Sequence, residues 1–148
     1  GYSSIGYRIR NNEAFDSLFP ITDVIYDGQN FESPFITDLS KTKQSVVVSC
    51  PKVKIGRHSQ IADRLVDLMA NGIEIVLYTK EENEDTISLQ HQGISVIYKD
   101  HLSLHAAIID KSTIWYGSVN ILGYRSEDNL IRFRNPEIAS NLLDSLQK

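Results

Sequence analysis

Three consecutive pieces of sequence decide the fold: Ser45-Val46-Val47-Val48-Ser49-Cys50-Pro51, the stripe Ile61, Ala62, Leu65, Val66, Leu68 and Met69, and Ile73-Glu74-Ile75-Val76-Leu77-Tyr78-Thr79. The first is a β-branched run bounded by polar residues and closed by a proline, the pattern of a strand buried on both faces. The second repeats its apolar residues at helical spacing; Ser59 or His58 is placed to cap it, and Asn71-Gly72 stops it. The third is strand-like again. Residues 45–79 therefore read strand, helix, strand, a crossover unit that implies parallel pairing inside a layered α/β fold.

Working outward, the acidic stretch Glu81 to Asp85 predicts a solvated loop, followed by a short helix near 86–92 that ends at Gly93 and a strand over Ile94–Tyr98. The rhythm then changes. Ala106–Asp110, Thr113–Gly117 and Leu130–Phe133 are strand candidates with no long helix between them, and Asp110-Lys111-Ser112 reads as a tight hairpin turn. Asn135 as N-cap and Pro136 at the first helical position open a final helix whose stripe is Ile138, Ala139, Leu142, Leu143 and Leu146. Upstream, Phe31, Phe35, Ile36 and Leu39 predict a helix near 31–41, after the turn Asp27-Gly28-Gln29-Asn30. Residues 1–23 form an arm that leads into a short extended segment. The expected architecture is one α/β domain over 24–148, with a mixed, mostly parallel sheet flanked by helices.

Composition sets the outer bounds. The 148 residues carry 15 Lys+Arg against 19 Asp+Glu, a formal net charge of −4, with 41% hydrophobic and 23% charged residues. A chain of this length buries roughly 68–70% of its unfolded surface, so neither disulfides nor a structural metal are required. The composition excludes a disordered tail, a collagen-like chain and a coiled-coil rod. One cysteine, Cys50, allows no internal disulfide and no cysteine-based zinc site, and is expected to be a small core residue in a cytoplasmic, reducing setting. No apolar run reaches the roughly 18 residues of a membrane span, so no membrane partner is expected. Mild acidity argues against a whole-surface polyanion binder but leaves room for a local basic groove.

Chemistry-bearing residues concentrate between His101 and Asn120: His-Leu-Ser-Leu-His-Ala-Ala-Ile-Ile-Asp-Lys-Ser-Thr-Ile-Trp-Tyr-Gly-Ser-Val-Asn. Asp110, six further residues, then Gly117-Ser118-Val119-Asn120 resemble the second half of the phospholipase D superfamily signature: His-x-Lys, four residues, Asp, six residues, Gly-Ser-x-Asn. The resemblance extends over about 24–147, through the strand ending at Cys50-Pro51 and the closing Asn-Pro-Glu-Ile-Ala helix. It implies metal-independent phosphodiester chemistry without a cofactor. In that family a histidine attacks phosphorus, a second motif's histidine protonates the leaving oxygen, and lysine and asparagine hold the phosphoryl oxygens. Two motifs must face each other, so a chain with one is expected to form a homodimer or to sit in a larger two-motif protein.

The first half of the signature departs from the pattern. In the register fixed by Asp110, the nucleophile position is Ser103 and the lysine position is His105, and no other register restores both residues. A Ser103 hydroxyl activated by His105 is conceivable, since alternate residues of a strand share a face. Ser118, Asn120 and His105 could hold phosphate without cleaving, with Gly117 allowing close backbone approach. The implied site is therefore Ser103, His105, Asp110, Ser118 and Asn120, expected to converge on one pocket, with Gly117 and the basic run Lys52, Lys54, Arg57, His58 contacting nucleic-acid phosphates. Without the resemblance, the same residues read as a strand bend, local turn bonds and a capped hairpin.

Lys99, Lys111, Arg125, Arg132 and Arg134 are candidates to extend a positive surface and Tyr124 to stack on a base, and strand alternation points Trp115 and Tyr116 to opposite faces. The wording of the motif and of the last helix is similar to domains appended to bacterial DNA helicases and nucleases. Three functions follow as expectations: a DNA-binding or positioning module with weak or lost cleavage; a metal-independent nuclease using His105, Asp110, Ser118 and Asn120 across a dimer; and a protein-interaction module with a vestigial phosphate pocket.

Overall fold

The structure, a computed structural model, describes residues 24–56, 59–123 and 127–148. The arm and the residues Arg57, His58, Tyr124 and Arg125 lie outside the described residues. Seven strands and four helices are described: β1 (Val24–Asp27), α1 (Glu32–Ser40), β2 (Ser45–Ser49), α2 (Gln60–Ala70), β3 (Glu74–Thr79), α3 (Glu84–His91), β4 (Ser95–Tyr98), β5 (His105–Ile109), β6 (Thr113–Gly117), β7 (Asn129–Arg134) and α4 (Pro136–Gln147). They form one sheet in the order β1-β7-β6-β5-β2-β3-β4. The expected α/β fold with a mixed sheet is what the chain adopts. Its parallel part is β2–β3–β4, whereas β2–β5, β5–β6, β6–β7 and β7–β1 pair antiparallel, so the sheet is mostly antiparallel and the expectation of a mostly parallel one is corrected. Part of the cause lies after β5, where the Asp110–Ser112 turn is too short for a crossover helix and makes β5 and β6 a hairpin.

Alternation along the strands splits the core in two. Val46, Val48, Leu77, Ala107, Ile109, Trp115 and Leu130 pack under Phe35 and Leu39 of α1, Ile61 and Leu65 of α2 and Leu89 of α3. Val47, Tyr78, Ile108 and Ile114 pack under Ala139 and Leu146 of α4. Each such aliphatic side chain contributes roughly 1.5–3 kcal/mol by leaving water. Helix ends follow local chemistry. Ser59, not His58, caps α2 by accepting from Ala62 N–H, and Asn135 caps α4 by accepting from Ile138 N–H. Helix α3 starts two residues before its predicted onset, because Asn83 and Thr86 form a reciprocal capping box and Glu84 and Asp85 belong to the favourable first turn.

Trp115 is the hub of the three-helix side. It is fully buried, stacks on Tyr26 at 5.1 Å and meets the edge of Phe35 at 5.3 Å. Its indole N–H donates to Asp38 Oδ2 at 2.8 Å, and Asp38 also accepts from Arg132 Nε at 2.6 Å and Nη2 at 2.9 Å. Burial alone would lower the Arg132 pKa. The hydrogen bond and charge of Asp38 outweigh it and hold the guanidinium more firmly protonated than usual.

Candidate functional site

The carboxyl ends of the parallel strands β2 and β3 meet the start of β5 and the end of β6 at one pole of the sheet, the pole where ligands gather in open α/β sheets. Ser49 pairs with Ala106, so Cys50 lies beside His105, and His105 pairs directly with Gly117. By alternation His105 shares the face of Ala107 and Ile109, under the three-helix layer, and it is half-buried. Gly117 is required sterically: a Cβ there would lie 1.9 Å from the Asn129 carbonyl oxygen. Beyond it, Ser118 N–H donates to Asn129 O at 2.9 Å, and the exposed Ser118 hydroxyl accepts from Asn129 N–H at 3.3 Å.

The chain then folds back on the loop after β2. Asn120 Oδ1 accepts from Lys52 N–H at 3.1 Å and lies 3.7 Å from Cys50 Sγ. Gly123 N–H donates to Asn120 O, and Lys54 N–H donates to Leu122 O at 2.8 Å. Gly123, which sequence reasoning did not single out, has no room for a side chain: its Cβ would meet Asn120 Cβ at 2.6 Å and Lys52 O at 2.8 Å. The other wall is tied to β3, since Pro51 O accepts from the buried Thr79 hydroxyl at 3.2 Å and from Lys80 N–H. Ile55 N–H donates to Asp85 Oδ2 at 2.9 Å, which fixes the loop's far end to α3.

These ties enclose a cavity of about 420 Å³ lined by Lys52, Lys54, Lys80, Asn120, Asn83 and the carboxylates Glu81 and Asp128, with Pro51 and Val53 as its apolar floor. Lys52 and Lys54 are exposed on either side of the buried Val53, and both line the cavity. With Oδ1 of Asn120 committed to Lys52, its amide NH2 remains available to an anion. The cavity therefore gathers three lysines, two carboxylates and a neutral amide donor, and the lysines and the amide are the groups suited to phosphoryl oxygens.

The expected convergence of all five motif residues is not met. Asn120 lines the lysine cavity. Ser103 is exposed and lines a separate cavity of about 460 Å³ with Tyr98, Lys99, His101 and Leu146. Asp110 is at the opposite pole, separated from His105 by the length of β5, about 16 Å at the usual strand rise. It cannot orient an imidazole from there. Its carboxylate instead accepts from the backbone N–H groups of Lys43, Gln44 and Ser45 at 2.7–3.2 Å. Burial pushes the Asp110 pKa upward, but these amides and the Lys43 charge outweigh it and hold the carboxyl below its ordinary value.

Other expected contributors are also displaced. Lys111 and Arg134 sit at the Asp110 pole, Arg132 is committed to Asp38, and Lys99 Nζ donates to the Leu146 carbonyl at the end of α4. Cys50 is a fully buried free thiol, as expected, and burial pushes its pKa up to about 12. Trp115 points inward and Tyr116 outward, also as expected. Lys80, Glu81 and Asn83 were missed, because only the β2–β3 pairing brings their loop beside Lys52. Among the described residues there is no His, Cys, Asp or Glu cluster able to hold a metal ion, and no helix long and apolar enough to cross a membrane.

The fold is an open α/β sheet with a lysine-lined cavity at its strand ends, and comparison with solved structures identifies it. NucT from Helicobacter pylori superposes with a TM-score of 0.68 at 15% identity, covering 84% of this chain and 92% of that one. Nuc from Salmonella typhimurium, a phospholipase D family member, gives 0.62 at 18% identity over the same shares. TrmBL2, an archaeal chromatin protein described with a novel mode of DNA binding, gives 0.64 at 8% identity, covering 98% of this chain and 59% of that one. No protein-family model and no curated protein sequence matches the chain. The chain has the phospholipase D-like fold.

Proposed function

We propose that this domain is a phospholipase D-like nucleic-acid-binding or positioning module, of the kind attached to a DNA helicase or nuclease, whose own cleavage is weak or lost. The observation that carries the reading is the placement of Lys52, Lys54, Lys80 and Asn120 around one cavity at the motif's end of the sheet. Each lysine neutralises a backbone phosphate and each contact releases counterions. Position 103 holds a hydroxyl where the resembled family has its attacking imidazole, and Ser103 borders a different cavity from Asn120. Backbone binding thus survives where the nucleophile does not. NucT and Nuc share the fold, and so does 59% of TrmBL2, a chromatin protein described with a novel mode of DNA binding. A lone buried thiol suits the cytoplasm.

The test is an anisotropy titration of labelled DNA in chelator across salt concentrations. Log affinity is expected to fall linearly with log salt, and the Lys52→Ala/Lys54→Ala double variant to flatten the slope by about 1.5–2. Binding that ignores salt, or a double variant that binds as wild type does, would remove the reading.

Homodimer formation is the second part of the proposal. On the α4 side of the sheet, Ile25, Ile131 and Tyr116 form one cross-strand row and remain 37%, 36% and 46% exposed. The row ends beside Gly117-Ser118, so a second copy seated there brings two motif ends together. Sedimentation of Tyr116→Lys checks it: a wild-type dimer should become a monomer.

A further inference from the structure

The lysine cavity carries more than a bare phosphate site would need. Its volume of about 420 Å³ falls within the roughly 300–1,000 Å³ range of whole small-molecule pockets. Its lining is also mixed. Pro51 and Val53 give an apolar floor, and two exposed carboxylates, Glu81 at the same rim as Lys80 and Asp128, line the cavity with the lysines. A carboxylate beside a phosphate is repulsive and would weaken a site meant only for phosphoryl oxygens. The same carboxylate is favourable where the ligand also presents N–H groups, as the amino- and imino-bearing edges of nucleobases do.

We propose that this cavity takes one unpaired nucleotide of a single strand. Its phosphate lies against Lys52, Lys54 and the Asn120 amide, its base lies over Pro51 and Val53, and a donor edge meets Glu81. The inference rests on the nucleic-acid reading above and adds strandedness and base contact to it. A paired base keeps its edge turned to its partner and cannot enter, so a duplex reaches the lysines only through its backbone.

The experiment compares three labelled ligands of equal length in chelator: a mixed-sequence single strand, the same backbone without bases, and the duplex. The natural single strand should bind about tenfold or more tightly than the abasic strand, which carries the same phosphates. It should also bind more tightly than the duplex. Glu81→Gln should shrink the preference for bases and leave the salt slope unchanged, whereas Lys80→Ala should weaken both single strands. Equal, salt-sensitive binding of natural and abasic strands would overturn the nucleotide inference and leave the backbone-binding reading standing. Equal or tighter duplex binding would overturn it in the same way. No binding of any ligand at low salt would remove both.

Discussion

Asp110 offers the sharpest separation between a role in folding and a role in chemistry. Its two oxygens receive three backbone N–H groups, from Lys43, Gln44 and Ser45, which join the β5–β6 turn to the start of β2. The turn itself places Asp110 and Lys111 at φ of 52° and 56°, the left-handed region that Asp and Asn tolerate better than most residues. Asp110→Asn keeps that backbone preference and the shape but removes the charge and one acceptor. Asp110→Ala removes every acceptor and fits the turn poorly. Hydrogen bonds to an ionised group are worth about 1.5–3 kcal/mol each when sheltered. Here the carboxylate is partly exposed and the three are not additive, so Asp110→Ala should cost about 2 kcal/mol in total. At this size that lowers the thermal midpoint by about 4–8 °C, with Asp110→Asn losing about half as much. The folded carboxyl ionises more readily than the unfolded one. Its stabilisation is therefore complete at neutral pH and is lost as pH falls from about 4 through the depressed folded value. The checks are thermal unfolding at pH 7 and pH 3 and DNA titration below the midpoint. Midpoint loss at pH 7, a smaller difference between wild type and Asp110→Asn at pH 3, and unchanged DNA affinity are expected. An Asp110→Asn protein with full stability but impaired binding or cleavage would refute the reasoning and return Asp110 to the site.

Three further outcomes follow from the packing. Gly117→Ala drives a methyl group into the Asn129 carbonyl, so β6 and β7 must part at the motif's end, and loss of about 3 kcal/mol or failure to fold is expected by chemical denaturation. Asp38→Ala strands the Arg132 guanidinium and the Trp115 indole N–H in a largely buried setting; a loss of about 3 kcal/mol should appear in urea unfolding, with a changed Trp115 emission. The Cys50 thiol, buried and with its pKa pushed up to about 12, should resist alkylation in the native protein at pH 8 and react fully in denaturant, as a mass measurement would show.

Turn chemistry and β-branched runs made most element boundaries legible. Ser45–Ser49 and Thr113–Gly117 are strands over the residues that local composition picks out, because Pro51 and the Asp110-Lys111 turn leave the backbone little choice. The start of α3 was hidden, since an acidic run reads as a solvated loop until Asn83 is seen to accept from Thr86 N–H. The destinations of the cations were not legible at all. Arg132 and Asp38 are 94 positions apart in sequence, and Lys80 reaches Lys52 only through the β2–β3 pairing. Side-chain partners of that kind are set by topology, which leaves no periodic trace along the chain.

The signature itself divides along β5. Its aspartate end serves the turn that pins β5 to β2, and its Gly-Ser-x-Asn end builds the wall of the cationic cavity. The parts retained in register are Asp110, Gly117, Ser118 and Asn120, and all four have a backbone task visible in the structure: Asp110 binds three amides, Gly117 admits β7, Ser118 accepts from Asn129 N–H, and Asn120 holds the Lys52 loop. The two departures, Ser103 and His105, fall where the side chain would have had a chemical task and no backbone to hold. Departure from the resembled pattern at those two positions leaves the framework intact, which is why the fold and the Asn120 wall of the cavity stand together with a serine at position 103. Restoring the side chains alone, as Ser103→His with His105→Lys, should therefore leave the thermal midpoint within about 2 °C of wild type, because both positions are at least partly exposed. A large drop would show that His105 packs as part of the core instead.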